Sequence, residues 1–274
     1  MPSSPVLIIN SKPKPFTRYL LDTYAYKALI TALTYRDVKV KYAQTLLGLM
    51  WVFAQPLIQL VIYTLFFGHI LNITTGNIPY VLFAFSGIIC WQLFTALVQE
   101  SSAALLKSAE LVKKIYFPKL IIPLSKGLLV FWEFTAALFM LGLTIVYFKI
   151  PVGLPILLLP VFVLLTIAAG LGIGLWLCVI SAYKRDLLHI IPLVLNMGMW
   201  LTPVFYPVSI LPDGFKWLLY GNPLSGILAG FRWALFNDPP PSVYYLFSFM
   251  FIVLLFVSGL YYFCKRESAI VDTM

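Results

Sequence analysis

The chain has 274 residues, of which 61% are hydrophobic and only 11% charged, and it carries a net charge of +9. An ordinary soluble domain is about half apolar and about a quarter charged, so these proportions exclude one, along with a disordered chain and a disulfide-rich secreted module. A mean hydropathy of +0.95 points instead to a protein lying mostly within a bilayer, where roughly 20 residues per helix leave room for six or seven crossings.

The first 18 residues read as a tail. Their one apolar run, Val6 to Ile9, is too short for the core of a cleavable signal peptide. Residues 19–42 follow as an amphipathic helix. Leu21, Ala25, Ala28, Leu29, Ala32 and Leu33 recur at helical spacing on one face. Tyr19, Tyr24, Tyr26 and Tyr35 surround that stripe, which suits a helix lying in the membrane interface. Arg36, Lys39 and Lys41 come next and would meet anionic headgroups.

Residues 43–264 form the transmembrane region. No charge occurs from Tyr42 to Gln99, a run long enough for two helices. The polar stretch Asn72 to Asn77 breaks it as a turn, giving spans at 46–71 and 79–99. Asn72-Ile73-Thr74 is also a formal glycosylation sequon, expected by chance in a polar loop. Ser101 to Ile115 is amphiphilic, with Leu105, Leu106, Leu111 and Val112 set against Lys107, Glu110, Lys113 and Lys114. It reads either as a docking lever for a soluble partner or as a solvated basic loop. Phe117-Pro118-Lys119 ends it.

Further spans are predicted at 127–148, 154–180, 187–208 and 242–264. Glu133 lies inside the third. An acid at membrane depth is a functional suspect, and the plainer expectation is an ion pair with Lys126, two helical turns away. The glycines of Gly170-Leu171-Gly172-Ile173-Gly174 are expected to let helices pack closely. The apolar stretch Trp217 to Phe231, cut by Gly221-Asn222-Pro223, is too short to cross. It is expected to dip in and return, as a re-entrant element over 213–237. Residues 265–274 form a second tail.

With six spans both termini share one side. Sixteen Lys and Arg residues fall on that side, against Lys149, Lys216 and Arg232 on the other. This bias puts both ends in the cytoplasm and explains the positive charge without nucleic acid. Cys90, Cys178 and Cys264 lie far apart, and His69 and His189 have no second ligand nearby, so no metal site is expected. No phosphate-binding glycine loop occurs; any ATP-driven transport would need an ATPase on another chain. A membrane-embedded transferase would need clustered acids, whereas Asp37, Glu110 and Asp186 are scattered. A secondary carrier would show repeated halves with broken helices.

A set of short motifs, taken in order, resembles one family. Tyr35-Arg36-Asp37-Val38-Lys39-Val40-Lys41-Tyr42 is followed by Gln44-Thr45-Leu46-Leu47-Gly48, Trp51 and Gln55-Pro56-Leu57. Ser86-Gly87-Ile88, Trp91, Phe94 and Lys113-Lys114-Ile115-Tyr116-Phe117-Pro118 come next. Tyr183-Lys184-Arg185-Asp186, Trp200 to Tyr206 and Tyr220-Gly221-Asn222-Pro223-Leu224 complete the series. Together they resemble type-2 ABC permeases that export bacterial polysaccharides such as O-antigen, capsule and teichoic acid.

The resemblance implies an all-α membrane protein with six transmembrane helices in the bacterial inner membrane, non-enzymatic itself. It implies a homodimer, two separate ATPase subunits binding ATP and magnesium, and no cofactor in this chain. It makes the segment near 105–117 a coupling helix, with Lys107, Glu110, Lys113, Lys114, Tyr116 and Phe117 as its contact residues. The cargo would be a lipid-linked polysaccharide; a drug or small lipid is the alternative. A sliding sugar chain suits aromatic faces with polar handles. Trp51, Gln55, Gln59 and Tyr63 share one face of the first span. Asn196, Trp200, Phe205 and Tyr206 occupy the fifth, where Pro203 is expected to kink the helix. These eight are the pathway candidates, although Gln and Asn in lipid also find partners within one subunit.

Overall fold

The computed structural model describes residues 16–43, 45–71, 73–76, 78–212, 214 and 216–273, with side chains up to Glu267 apart from Lys216. Nearly all of the expected N-terminal tail, Gln44 and the sequon residue Asn72 lie outside the described residues. The described residues are mostly helical, and no strand occurs among them.

The N-terminal region forms two helices, α1 (Phe16–Ala25) and α2 (Lys27–Tyr42), separated by a break at Tyr26. The break fits two surroundings at once. Leu21, Ala25, Ala28 and Ala32 of the expected apolar stripe are exposed, whereas Leu33 of the same stripe is buried together with Thr23 and Thr34. The buried side lies against the third long helix, where the Thr34 hydroxyl donates to the Ser125 carbonyl at 3.1 Å.

Five helices are long and apolar enough to cross a membrane: Gly48–Ile70, Tyr80–Lys107, Ile121–Tyr147, Leu154–Tyr183 and Tyr245–Glu267. The first comprises a 3-10 turn, α3 (Trp51–Tyr63) and a π-helical stretch Thr64–Ile70. Next come α4 (Tyr80–Lys107), the short α5 (Ala109–Lys114), α6 (Ile121–Tyr147) and α7 (Leu159–Tyr183). Then α8 (Leu187–Leu201), α9 (Lys216–Gly221), α10 (Pro223–Phe236) and α11 (Tyr245–Thr273) complete the chain.

The core is built around α4 and α7. The α7 glycines act as the sequence predicts. A Cβ at Gly170 would lie 2.7 Å from Leu97 Cβ, and one at Gly174 2.6 Å from Ser101 Cβ, so α4 lies almost against the α7 backbone. A Cβ at Gly172 would come within 2.9 Å of Phe256 Cα, which seats α11 on another side of α7. Burial separates the helices sharply. The most apolar stretch of α4 is 78% buried, and that of the first span only 11%. The first span is therefore the most open of the five to lipid or to another chain.

Four boundaries differ from the sequence expectation. Instead of one helix over 101–115, α4 runs on to Lys107 and a break at Ser108 starts α5. The third long helix begins at Ile121 rather than 127. The expected span 187–208 stops at Leu201, because the residue before a proline is driven out of helical conformation and Thr202 is extended ahead of Pro203. The C-terminal tail continues α11 as far as Thr273. Within the expected re-entrant stretch, α9 and α10 meet at Asn222. Its side chain accepts the Leu224 N–H at 3.1 Å, and Pro223 takes the first helical position, a favourable start. Asn237, with φ of 58°, ends α10 in the left-handed conformation that asparagine tolerates.

Candidate translocation pathway and docking element

The helices define two ends. At one lie α1, α2, α5, the start of α6 and the end of α11, with most of the Lys and Arg; we call it the basic end. At the far end lie α9, α10 and the start of α4.

At the far end the structure brings half of the pathway candidates together. The Phe205 ring is 1% exposed. It stacks on Tyr63 at 5.2 Å between centroids and meets Trp200 at 4.8 Å. Phe67, which sequence reasoning missed, lies 4.7 Å away. The Tyr206 hydroxyl donates to the Trp200 carbonyl at 3.1 Å, and the Tyr63 hydroxyl lies 3.8 Å from Met199 Sδ. Tyr63 and Phe67 flank or lie within the π-helical stretch, a departure common at functional sites.

The other candidates stand apart. Trp51, Gln55 and Asn196 are exposed and do not join the cluster. Gln59 accepts from Gln92 Nε2 of α4 at 2.8 Å, so its amide finds a partner within the subunit. Trp200, although in the cluster, is 59% exposed.

The segment holding Phe205 is irregular, and its backbone is satisfied by side chains from elsewhere. Arg232 Nη1 donates to the Pro203 carbonyl at 2.9 Å, and Nη2 to those of Val204 at 2.6 Å and Phe83 at 3.3 Å. The Tyr80 hydroxyl donates to the Phe205 carbonyl at 2.8 Å. Asn222 Nδ2 donates to the Thr202 hydroxyl at 2.9 Å. Non-helical backbone at membrane depth persists only with such partners. Arg232 also places its guanidinium 3.5 Å from the Phe83 ring centroid, a cation–π contact. The sequence counts it only among the far-side basic residues, yet it lies within α10 and is 6% exposed. The signal for it was available: a lone arginine inside an otherwise apolar stretch.

At the basic end, Glu133 does not pair with Lys126. Lys126 Nζ lies 2.7 Å from Asp37 Oδ2, while Glu133 takes Lys41 Nζ at 2.6 Å and the Tyr42 hydroxyl. The correction follows from α2 lying along α6, which brings residues 92 positions apart together. Arg36 pairs with Asp37 at 2.8 Å. Lys39 is exposed in the last turn of α2.

The α5 surface is charged. Lys107 pairs with Glu100 at 3.0 Å and Lys114 with Glu110 at 2.9 Å, both of the latter largely exposed. Lys113 and Tyr116 face outward as well. Phe117 is 2% exposed, so it anchors the turn rather than offering a contact. Among the described residues no group of His, Cys, Asp or Glu could hold a metal ion.

An all-helical membrane protein with a charged surface element between its second and third long helices is the class defined so far. The sequence profile described as ABC-2 type transporter matches residues 28–236, and the chain belongs to that family. It is 30% identical over 197 residues to the O-antigen export system permease protein RfbA of Myxococcus xanthus, covering 72% of this chain and 75% of that protein. It is 26% identical over 211 residues to an RfbA of Klebsiella pneumoniae, with 77% and 78% covered. It is 25% identical over 206 residues to the polysialic acid transport protein KpsM of Escherichia coli, with 74% and 79% covered.

Proposed function

We propose that this chain is the transmembrane subunit of an ATP-driven exporter of lipid-linked polysaccharide in the bacterial inner membrane. The observation that carries this reading is the family membership together with relatives named for O-antigen export and polysialic acid transport, each matched over about three quarters of its length. The same names disfavour a drug or small lipid as cargo.

Six crossings are the arrangement we favour. The helix Leu187–Leu201 spans about 22 Å at 1.5 Å per residue, short of a bilayer core of about 30 Å. The irregular residues 202–205 extend it to Tyr80 and Phe83 at the start of α4, which supports a complete crossing. The basic end then faces the cytoplasm, and α9 and α10 form the outer re-entrant hairpin. The exposed stripe of α1 and α2 lies in the cytoplasmic interface, with Arg36, Lys39 and Lys41 near the headgroups.

A second copy of the chain covers the exposed face of the first span. ATP and magnesium are bound by two ATPase subunits seated against α5, whose Lys107, Glu110, Lys113, Lys114 and Tyr116 offer the contact. The cluster of Tyr63, Phe67, Trp200, Phe205 and Tyr206 lines the outer part of the pathway, and Trp51, Gln55, Gln59 and Asn196 contribute from the open faces of α3 and α8.

Deleting the gene tests the reading. The expected result is a lipid-linked glycan accumulating in the cytoplasm, restored to the surface by the intact chain together with its ATPase. Normal surface glycan in the deletion strain, in the absence of a second such permease, contradicts it.

A further inference from the structure

The turn joining α5 to α6 is held by side chains from three places in the chain: the turn itself, α1 and α11. Lys119 Nζ donates to the carbonyls of Val112 at 3.2 Å and Ile115 at 3.1 Å, which are among the orphan carbonyls at the end of α5. The same ammonium stands 4.5 Å from the centroid of the buried Phe117 ring. The Lys119 backbone N–H donates to Glu267 Oε1 of α11 at 2.9 Å. Next to it, the Leu120 N–H donates to the Tyr19 hydroxyl of α1 at 3.2 Å.

The electrostatics agree with a closed, interacting set. Burial lowers the Lys119 ammonium from its ordinary value, and Glu267 opposes that shift. Burial first, and then the Glu267 charge, raises the Tyr19 phenol. A carboxylate at the start of a helix is favourable in its own right, yet here it comes from a helix 148 positions further along the chain.

That helix is a single rod. It runs unbroken from Tyr245 to Thr273 and packs tightly on α7, where a Cβ at Gly259 would lie 2.5 Å from the Gly172 carbonyl oxygen. A displacement of α5 therefore has a rigid route through Lys119 and Glu267 into α11 and the core.

We propose that Glu267 is a positioning residue that fastens α11 to the α5–α6 turn, so that α5 and the last span move as one lever. The proposal rests on the reading of α5 as the ATPase-facing element. It requires the complex to lose transport per ATP, not merely amount, when the fastening is cut.

The test uses the complete permease–ATPase complex in proteoliposomes. Glu267→Ala is compared with Glu267→Gln, which keeps an acceptor oxygen facing the Lys119 N–H. ATP turnover, glycan export per ATP and the amount of assembled complex are measured for each. Spin labels at positions 115 and 266, both exposed, report the separation of the end of α5 from the end of α11.

The expected result is that Glu267→Ala assembles and hydrolyses ATP but loses most of its export per ATP, while Glu267→Gln retains it. The label separation stays constant through the ATP cycle in the wild type and in Glu267→Gln, and varies in Glu267→Ala. Export per ATP unchanged in Glu267→Ala overturns the proposal, as does a fall of export and ATPase activity together in proportion to lost complex. A wild-type chain that binds no ATPase overturns the underlying reading as well, which separates the two failures.

Discussion

Two irregular segments interrupt the helices at opposite ends of the bundle, and each is organised by one buried cation. At 202–205 the hydrogen-bond partners of Arg232 are all carbonyl oxygens, with Tyr80 and Asn222 completing the set. At 115–120 Lys119 takes two carbonyls while Glu267 takes the N–H that opens the next helix. The far-end break thus depends on one arginine to which several acceptors are tied. The basic-end break divides the work between a cation in the turn itself and an anion carried by a distant helix. The first arrangement fixes a shape beside the aromatic cluster; the second joins elements that can shift together.

Breaking the far end should have the largest effect. Arg232→Ala leaves the Pro203 and Val204 carbonyls without their side-chain donor, at about 1–3 kcal/mol for each group left unsatisfied, while the Phe83 carbonyl keeps the Ser86 hydroxyl. We expect the greatest fall in melting temperature of the solubilised protein, with partial recovery in Arg232→Lys. Equal melting of Arg232→Ala and wild type would remove the basis of the comparison. Gly87→Ala should come next. Its Cβ would lie 2.2 Å from the Val204 carbonyl oxygen, and overpacking of this kind costs about 1–3 kcal/mol, read in the same melting experiment.

Lys119→Met sharpens the contrast. It removes the donor to Val112 and Ile115, a loss of about 1–3 kcal/mol. Amide exchange should quicken across α5 and stay unchanged at 202–206; acceleration at both ends would mean that the two breaks are not independent. Gln59→Leu leaves Gln92 without its acceptor, and such contacts in membranes average about 0.6 kcal/mol, so a small drop in melting temperature is expected. The smallest stability change belongs to Glu110→Ala. An exposed pair of this kind is worth up to about 1 kcal/mol, so unchanged melting combined with weaker copurification of the ATPase would mark it as a docking residue.

The sequence carried the long helices well, because an unbroken apolar run has one physical outcome in lipid. It also carried the role of the α7 glycines, since small residues at membrane depth allow close approach wherever the partner lies. What it could not carry were partners set by docking. Glu133 looked paired with Lys126 by helical spacing, but α2 lies along α6 and supplies Lys41 instead. Arg232 looked like one more far-side basic residue, and its acceptors come from the segment after α8 and from α4. Of the pathway candidates, the helical pattern grouped Gln55, Gln59 and Tyr63. Only Tyr63 reaches the aromatic cluster, because Gln59 is taken by Gln92 and Phe67 enters through the π-helical stretch.

The central claim is tested most directly in inside-out membrane vesicles containing this chain and its ATPase, supplied with a lipid-linked glycan on the outer, formerly cytoplasmic, face. The account predicts that ATP moves the glycan into the lumen, where it becomes protected from an added glycosidase, and that no protection develops without ATP or without the permease. Glycan that stays fully digestible while the assembled complex hydrolyses ATP would contradict it.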